Sequence, residues 1–410
     1  MKAQDQVKDG TATVDADVLL AKVERLANRY GALRRTAQRA QAEAALTRGR
    51  LGQALSDMLV DRAQSAALAQ REVAQRYLTI GASRIRRRRR NRIARFIDRQ
   101  LLRLRSLGGA LVIARSGLWS SSGSPLSDLR SMAAYARRGP APDARPEALF
   151  DQAFYLAHQP DVARGRLSPL VHYIVAGGAE RRSPAGLFDP EFYVQQNQAD
   201  LAATGLTPLE HFVHIGALQG RSPHPLFDLA YYVSQAPELV DSGENPLAHY
   251  LRVGAKQDLS PHPLFAPAYY RAQIGKDEAE REPLLAHYLS TGSQRGLKPH
   301  PLFDPDWYRE HSPDVVAAGG EPLTHYVLKG ADEGRDPSGW FSAAHYAQVR
   351  GSALEAGVNP LIDYLSGGAW RVGEARPGFP TLAYIAANPE ALSQGLTPLE
   401  HWASLPPPRA

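Results

Sequence analysis

The feature that most constrains this 410-residue chain is a motif that returns at a fixed interval over its C-terminal two thirds. Seven phenylalanines mark the interval, with spacings of 38, 39, 38, 38, 38 and 38 residues: Phe150, Phe188, Phe227, Phe265, Phe303, Phe341 and Phe379. A second series keeps the same step, and an aromatic residue follows each member: His172, His211, His249, His287, His325, Asp363 and His401. A period of this length is typical of stacked repeats, in which each unit buries its apolar face against the next.

Each repeat contains two signals for the start of a helix. The first is an Asp-Pro pair such as Asp304-Pro305, in which the carboxylate caps the first turn and the proline takes a position that needs no N–H donor. The second is a capping residue before Pro-Leu, as at Ser168, Thr207, Asn245, Asn359 and Thr397. We expect the second helix to have about ten residues, or three turns. A glycine in the left-handed conformation is expected to end it, at Gly177, Gly216, Gly254, Gly292, Gly330 and Gly368.

A proline-rich link such as Gly220–Pro225 ends each repeat and keeps the chain extended. Such short helices become stable by stacking, and no strand period competes with the helical one. The sequence therefore predicts an all-α fold. Its main part is a helical-hairpin solenoid of about seven units over residues 147–402, and a disordered tail follows at 403–410.

The recurring histidines are the first place to look for chemistry, because histidine is the commonest metal ligand and proton carrier. They recur once per repeat, however, whereas metal sites draw their ligands from close spacings such as His-x3-His. We interpret them as mainly structural, each hydrogen-bonding a neighbouring turn; the alternative is that they line a ligand groove. Arg182, Arg221 and Arg335 recur after the second helix and are expected to form caps and salt bridges.

No catalytic, cofactor-binding or metal-ligating residue is predicted, and no cofactor. The chain has no cysteine, which excludes disulfides and thiolate metal sites. The aromatic pairs that open the repeats, such as Trp307-Tyr308, are expected in the core because amphipathic helices need bulky apolar faces.

The repeat reads F-D-x-x-(W/Y)-Y, then P-D-V, then P-L-x-H-Y, then G-x-x-E-G-R-x-P, most clearly in residues 302–337. This pattern resembles the tandem repeats of bacterial surface-polysaccharide glycosyltransferases and rhamnan-synthesis-like proteins, where the repeats flank a transferase domain. The resemblance covers about residues 147–402. It implies a place in surface-polysaccharide assembly and names no reaction.

Charge divides the chain in two. Residues 1–146 contain 29 Lys and Arg against 12 Asp and Glu, a net charge of +17, and the other 264 residues contain 19 against 30, a net charge of −11. In residues 1–82, apolar and small side chains step by fours and threes from Leu19 to Met58, as in a coiled-coil seam. Gly49 and Gly52 interrupt it. We predict a coiled coil through which the chain forms a homo-oligomer, with a helical hairpin as the alternative.

Residues 83–118 form a predicted arginine-rich amphipathic helix. Between Arg84 and Arg105 there are 11 arginines and one acidic residue, and an apolar stripe runs along one face: Ile93, Phe96, Ile97, Leu101, Leu104 and Leu107. A basic helix with an apolar face adsorbs to anionic membranes. The candidate residues for binding an anionic membrane or another polyanion are Arg84, Arg86, Arg87, Arg88, Arg89, Arg90, Arg92 and Arg95.

Two alternatives remain for this helix. Its arginines could bind nucleic-acid phosphates, although phosphate contact needs no apolar stripe and only Phe96 could stack on bases. Otherwise the stripe packs on the first repeat and the arginines are solvated. Residues 119–146 are interpreted as a linker or a degenerate half-repeat, because Tyr135 and Gly139 keep the spacing of Tyr173 and Gly177.

These features predict a non-catalytic, membrane-associated scaffold or binding module in bacterial surface-polysaccharide biosynthesis. A secretory signal is not recognisable at the N-terminus, and no transmembrane segment is predicted. We therefore expect a cytoplasmic chain, peripheral at the inner face of the membrane, with a protein or glycan partner on the repeats. The alternatives are an accessory or divergent glycosyltransferase subunit, and an adaptor that binds RNA or DNA through the arginines.

Overall fold

A computed structural model describes residues 16–85, 100–101, 105–119, 123–138 and 149–405 of the chain. Within these ranges the regular structure is helical, and extended backbone forms only isolated bridges such as the one between Ala185 and Phe188. The predicted all-α fold is therefore confirmed. By its internal contacts the chain divides into two compact units, Met1–Leu59 and Val60–Ala410.

The N-terminal helix, α1, runs from Ala16 to Arg84 and continues through Gly49 and Gly52. It contains no turn at which the chain folds back, so the helical-hairpin alternative is wrong. Association of α1 with a second copy stays a prediction. Among the helices that the structure describes, none combines the length and the apolar content that crossing a membrane requires.

Two shorter helices, α2 (Arg105–Ser116) and α3 (Pro125–Arg138), pack against each other before the first repeat. The packing is close at Gly109, where a Cβ would lie 2.6 Å from the Cβ of Ala136. The predicted arginine-rich helix is described only near its two ends. Arg86–Arg90, Arg92 and Arg95 lie outside the described residues.

Helix α3 contacts the first repeat as the first repeat contacts the second. The phenol of Tyr135 accepts the N–H of Leu170 at 3.1 Å, and the phenol of Tyr173 accepts the N–H of Leu209 at 3.3 Å. The segment that the sequence assigns to a linker or half-repeat thus contains a helix with a repeat-like contact. Gly139, the other landmark of the half-repeat, lies outside the described residues.

We number the repeats 1 to 7 from the phenylalanine at which each begins. Their opening helices start at the predicted caps: Asp304 accepts the N–H groups of Asp306 and Trp307, and Pro305 is the first helical residue. In repeats 4 and 7, Ala266 and Pro380 provide no side-chain cap. The opening helices are Gln152–His158, Pro190–Thr204, Leu229–Gln235, Pro267–Arg271, Pro305–His311, Ala343–Arg350 and Thr381–Ala387.

A short middle helix follows in most repeats, so the prediction of two helices per repeat was incomplete. In repeats 1, 3, 5 and 7 a proline causes the break, because the residue before a proline avoids the helical conformation. Gln159 before Pro160 (φ −126°) and Ser312 before Pro313 (φ −139°) break the helix in this way. In repeat 4 the middle helix follows Gly275 instead. The middle helices are Pro160–Ala163, Glu238–Ser242, Lys276–Ala279, Pro313–Ala317 and Glu390–Ser393.

Repeats 2 and 6 differ in this segment. Repeat 2 has no proline there, and its opening and middle helices merge into Pro190–Thr204 with a kink at Asn197 (φ −129°). Repeat 6 has a 3₁₀ turn, Gly351–Ala353, instead of a middle helix. The kink and the turn interrupt the helix where a proline interrupts it in repeats 1, 3, 5 and 7.

The closing helices begin at the predicted Pro-Leu signals: Pro169–His172, Pro208–His211, Pro246–Arg252, Leu284–His287, Pro322–His325, Pro360–Leu365 and Pro398–Ser404. In four repeats the helix continues as a π-helical segment: Tyr173–Gly177, Phe212–Gly216, Tyr288–Gly292 and Tyr326–Gly330. In three repeats a 3₁₀ turn follows: Ala217–Gln219, Gly254–Gln257 and Gly368–Trp370.

The prediction that a left-handed glycine ends this helix was wrong in its position. Gly216 has a helical φ of −62°, and the left-handed residue comes four positions later, at Gly220 (φ 76°). Gly296 and Gly334 stand at the same phase, and the non-glycine residues Arg181 (φ 56°) and Asp258 (φ 57°) occupy it in repeats 1 and 3. The π-helical turn carries the helix past the first glycine, so the chain leaves the helix later than predicted.

Successive repeats are joined by the aromatic residue that follows the motif histidine. Tyr364 accepts the N–H of Leu399 at 3.1 Å, and Tyr288 donates to Glu321 at 2.7 Å. Repeats further apart also touch, since His300 of repeat 4 pairs with Glu400 of repeat 7 at 3.1 Å. In a simple solenoid each repeat contacts only its neighbours, so the solenoid arrangement stays a prediction.

Candidate functional site

Six repeats contain a tyrosine and a histidine joined by a hydrogen bond between the phenol and Nδ1. The oxygen–nitrogen distances are 2.7–3.0 Å in Tyr155–His172, Tyr193–His211, Tyr232–His249, Tyr270–His287, Tyr308–His325 and Tyr384–His401. The tyrosine belongs to the opening helix and the histidine to the closing helix of the same repeat. The partner of each motif histidine is therefore a phenol across the repeat, where the sequence predicts a neighbouring turn.

In repeat 4 this pair is part of a chain of three groups. Oε1 of Glu278 lies 3.0 Å from Nε2 of His287, and Nδ1 of His287 lies 2.7 Å from the phenol of Tyr270. The order of acid, histidine and hydroxyl is the one that activates a nucleophile. Tyr270 is fully buried, however, and burial raises the pKa of its hydroxyl above the ordinary value. These three groups therefore hold helices together.

The glycine at the end of each of these segments leaves room for the phenol. A Cβ would lie 1.9 Å from the phenolic oxygen at Gly216, Gly254, Gly292 and Gly368, and 2.1 Å from it at Gly177 and Gly330. No side chain fits at such a distance. Close approach of the tyrosine, and not a left-handed backbone, accounts for the recurring glycine.

Repeat 6 has Asp363 in place of the histidine, and a neighbouring residue changes with it. Oδ2 of Asp363 accepts hydrogen bonds from the Tyr346 hydroxyl at 2.6 Å and from Nε of Arg350 at 2.8 Å. Arg350 is 9% exposed, and its hydrogen bond to Asp363 raises the pKa of the guanidinium. Repeat 6 thus keeps the link between its helices and balances the added negative charge with an arginine.

A second buried histidine series, which we did not predict, lies in the proline-rich links. His224, His262 and His300 each stand between two prolines, three residues before the phenylalanine that begins the next repeat. Nδ1 of each accepts the N–H of the residue two positions later, at 3.0, 3.1 and 3.2 Å. A Pro-His-Pro triplet at the repeat interval is the signal in the sequence that identifies this series.

The surroundings of this series keep its first two members neutral. Burial lowers the pKa of His224 to about 4 and that of His262 to about 3, and the nearby His224 and His300 contribute to the lowering at His262. His300 instead pairs with Glu400. Burial alone would raise the pKa of Glu400, but hydrogen bonds from His300 and Thr397 bring it below its ordinary value.

The geometry of these side chains favours packing over metal binding. In the part of the chain that the structure describes, no group of three or more His, Asp or Glu side chains is placed to hold a metal ion. The recurring arginines make the predicted salt bridges: Arg182 with Asp161 at 2.7 Å and Arg335 with Asp314 at 2.8 Å. The two members of an aromatic pair differ in burial, as in repeat 5, where Tyr308 is fully buried and Trp307 is half-buried.

Of the eight arginines that form the candidate polyanion site, the structure describes Arg84. Its Nη2 donates to the backbone oxygen of Asp241 at 2.9 Å, at the end of the middle helix of repeat 3. A cation at this position is favourable because the end of a helix carries partial negative charge. Arg84 therefore anchors the end of α1 to repeat 3.

Helix α2, which follows the arginine-rich segment, has a buried and an exposed apolar face. Val112 and Ile113 are fully buried, whereas Leu107 is 60% exposed and Leu111 is 39% exposed. Leu107 and Leu111 are four residues apart and share one face of the helix. Leu101, which belongs to the same predicted stripe as Leu107, packs against the core. Of the predicted stripe, the structure describes Leu101 in contact with the core and Leu107 exposed. Its other members lie outside the described residues: Ile93, Phe96, Ile97 and Leu104.

No protein-family model matches the chain, and comparisons with curated proteins and with solved structures find no match. The resemblance of the repeats to those of surface-polysaccharide proteins therefore stays a hypothesis.

Proposed function

We propose that this chain is a non-catalytic scaffold that binds peripherally to the inner face of a bacterial membrane and serves surface-polysaccharide biosynthesis. The observation that carries the proposal is the exposed face of Leu107 and Leu111 on α2, directly after the arginine-rich segment. A helix with cations and a free apolar face adsorbs in the plane of an anionic membrane. Each cation near the surface contributes about 1 kcal/mol to binding.

The repeats supply the scaffold in this proposal. Their signature tyrosines and histidines hydrogen-bond to each other, as Tyr232 and His249 do at 2.7 Å. Signature groups used in this way build a rigid surface and leave the exposed positions free to vary between repeats. That surface, whose sequence has a net negative charge, is the proposed site for a protein or glycan partner.

Self-association through α1 is the third part of the proposal. Two members of its predicted seam are largely exposed, Leu33 at 68% and Met58 at 55%. Large apolar side chains that repeat along one face of a helix are stabilised by burial against a second helix. A second copy of α1 is the partner that this pattern fits, and dimerisation would place two membrane-binding segments on one particle.

Flotation with vesicles tests the membrane part. The full chain is mixed with vesicles of phosphatidylglycerol and phosphatidylcholine, or of phosphatidylcholine alone. We expect binding to the anionic vesicles only. Changing Arg86–Arg90 to glutamine removes five cations, each contributing about 1 kcal/mol, and should abolish binding. Leu107→Ser with Leu111→Ser should weaken binding about tenfold, because partial burial of two leucines contributes on the order of 1–2 kcal/mol.

Leu328→Ser is the matched control, since Leu328 is similarly exposed (43%) but lies in repeat 5. It should float like the unchanged chain. Equal flotation of the Leu107/Leu111 variant and the control would contradict a role for α2. Absence of binding to either vesicle, together with nucleic acid that co-purifies and dissociates at high salt, would replace the membrane with a nucleic-acid partner.

A further inference from the structure

In some repeats the position of the buried histidine series is occupied by another residue type. Counting three residues before the phenylalanine that begins each of repeats 2–7 gives Ala185, His224, His262, His300, Ser338 and Arg376. Arg376, in the link between repeats 6 and 7, is the only member of the series that is always positively charged near neutral pH. Its surroundings differ from those of the histidines, and they are aromatic.

The guanidinium of Arg376 lies over the rings of two tryptophans that contact each other. Its central carbon is 5.7 Å from the ring centroid of Trp340 and 5.1 Å from that of Trp402. The two indoles meet edge to face with centroids 4.9 Å apart, and Phe379 stacks behind Trp402 at 5.0 Å. Cation–π attraction of this kind fixes the position of a guanidinium without supplying a hydrogen-bond acceptor.

Arg376 has no acidic partner in the part of the chain that the structure describes. Its Nη1 is buried and has no hydrogen-bond acceptor there, and no salt bridge includes it. The recurring arginines of other repeats behave differently, since Arg182 contacts both Asp161 and Glu180. Nη2 and Nε of Arg376 are not buried in this way, so an anion from outside could contact them and balance the unpaired charge.

The cluster is also within reach of a ligand, because Arg376, Trp340 and Trp402 are each only partly buried. A guanidinium binds a carboxylate through two parallel hydrogen bonds, and an indole face packs well on the C–H face of a sugar ring. We propose that Trp340, Arg376 and Trp402 form a binding site for an acidic sugar residue of a glycan. The proposal rests on the proposed function, for which it names the class of ligand.

Trigalacturonate is the probe, and its methyl ester is the matched control ligand with the same rings and no charge. Binding to the full chain is measured by titration calorimetry and by tryptophan fluorescence. We expect trigalacturonate to bind at least tenfold more tightly than the ester. Arg376→Gln should weaken its binding at least tenfold, and Arg371→Gln, which changes an exposed arginine nearby, should leave it unchanged.

Several results would overturn the site. These are equal affinity for acid and ester, equal affinity of the Arg376→Gln variant and the unchanged chain, and absence of binding at millimolar trigalacturonate. If inorganic sulfate bound as tightly as trigalacturonate, the cluster would be a general anion site, and its recognition of a sugar would be contradicted. The comparison of acid with ester uses the unchanged chain, so it does not depend on the folding of a variant.

Vesicle flotation separates this inference from the proposed function. Arg376→Gln should float with anionic vesicles as the unchanged chain does, because the cluster lies in repeats 5, 6 and 7 and not in α2. Flotation without trigalacturonate binding would overturn the glycan site alone. Trigalacturonate binding without flotation would overturn the membrane part of the scaffold and keep the site.

Discussion

The phenolic oxygen of Tyr193 lies 1.9 Å from the point where a Cβ on Gly216 would stand. The same oxygen is 2.8 Å from Nδ1 of His211, so the tyrosine cannot move away without losing this hydrogen bond. We expect Gly216→Ala to lower the free energy of unfolding by about 3 kcal/mol or more, from overpacking and a lost buried hydrogen bond. Denaturant titration measures the loss.

Removing the phenolic oxygen should relieve the clash. In the double variant Gly216→Ala with Tyr193→Phe, the nearest ring carbon would be 3.1 Å from the new Cβ, and part of the lost stability should return. Gly373→Ala is the control, because nothing lies within 4 Å of a Cβ there. A Gly216→Ala chain as stable as the Gly373→Ala chain would show that the close approach does not matter.

Asp363 and Arg350 provide a second test, because they replace the histidine link in repeat 6. Asp363→Asn leaves the guanidinium of Arg350 buried without a counter-charge and should cost about 3–5 kcal/mol. Asp363→His with Arg350→Gln copies the residues of repeat 1, where Gln159 stands at the position of Arg350. We expect this double variant to recover most of the loss in denaturant titrations.

The exposed pair of Arg335 and Asp314 gives the comparison for that experiment, since the side chain of Asp314 is 60% exposed. Arg335→Gln should cost only about 0–1 kcal/mol, as exposed ion pairs do. If Asp363→Asn cost no more than Arg335→Gln, the buried pair in repeat 6 would not be needed for stability.

Local rules predict where the helices of this chain begin. The features that depend on contacts between distant residues could not be predicted from the sequence. The cap at Asp304 and the proline at Pro305 act within one turn, so they are readable from neighbouring residues. The reason for Gly216 depends on the position of Tyr193 across the repeat, which spacing alone does not give. The phenol-contacting glycine recurs in six repeats, whereas the left-handed position holds glycine in repeats 2, 4 and 5 and Arg181 or Asp258 in repeats 1 and 3. The backbone angles show which of the two positions is left-handed.

The same distinction between local and long-range features applies to the candidate site. The structural role of His249 follows from its periodicity, but its Tyr232 partner requires the packing of two helices. The pairing of His300 with Glu400 joins residues from repeats 4 and 7 and has no periodic signal. The sequence also does not predict which apolar residues near α2 are exposed, because Leu101 and Leu107 belong to the same predicted stripe and only Leu107 is largely exposed.

Gly334 tests the position at which the helix ends. Its φ is +72° and nothing lies within 4 Å of a Cβ there, so a substitution acts through the backbone alone. Gly334→Ala should cost about 1 kcal/mol, and Gly334→Asn less, because asparagine tolerates the left-handed conformation. Thermal unfolding of the two variants measures the difference. Equal stability of the Ala variant and the unchanged chain would contradict a left-handed residue at this position.

The buried histidines predict a loss of stability in mild acid. The unfolded chain binds protons at histidine near pH 6.5, whereas burial keeps His262 neutral to about pH 3 and His224 to about pH 4. The unfolded state therefore binds more protons as the pH falls from 6.5, and the folded state loses stability. For His262 alone the free energy of unfolding should be about 2 kcal/mol lower at pH 5 than at pH 7.

His262→Asn isolates this effect, because the amide oxygen can accept the N–H of Leu264 as Nδ1 does and the side chain does not titrate. The variant should show a smaller difference in stability between pH 7 and pH 5, as measured by denaturant titration at each pH. Paired carboxylates with lowered pKa values, such as Asp314 at about 2, lose their contribution only at lower pH. An unchanged pH dependence in the variant would show that His262 is not held neutral.

The contact between His300 and Glu400 predicts energetic coupling between repeats that are not neighbours. Nε2 and Oε1 are 3.1 Å apart, and the two side chains are 3% and 13% exposed. A double-mutant cycle of His300→Asn and Glu400→Gln should give a coupling of about 1–3 kcal/mol, as contacting buried groups do. The same cycle with Glu390→Gln, which changes a residue of repeat 7 outside this pair, should give a coupling near zero. A null result in the first cycle would mean that repeat 7 is stabilised by its neighbour alone, as in a simple nearest-neighbour array.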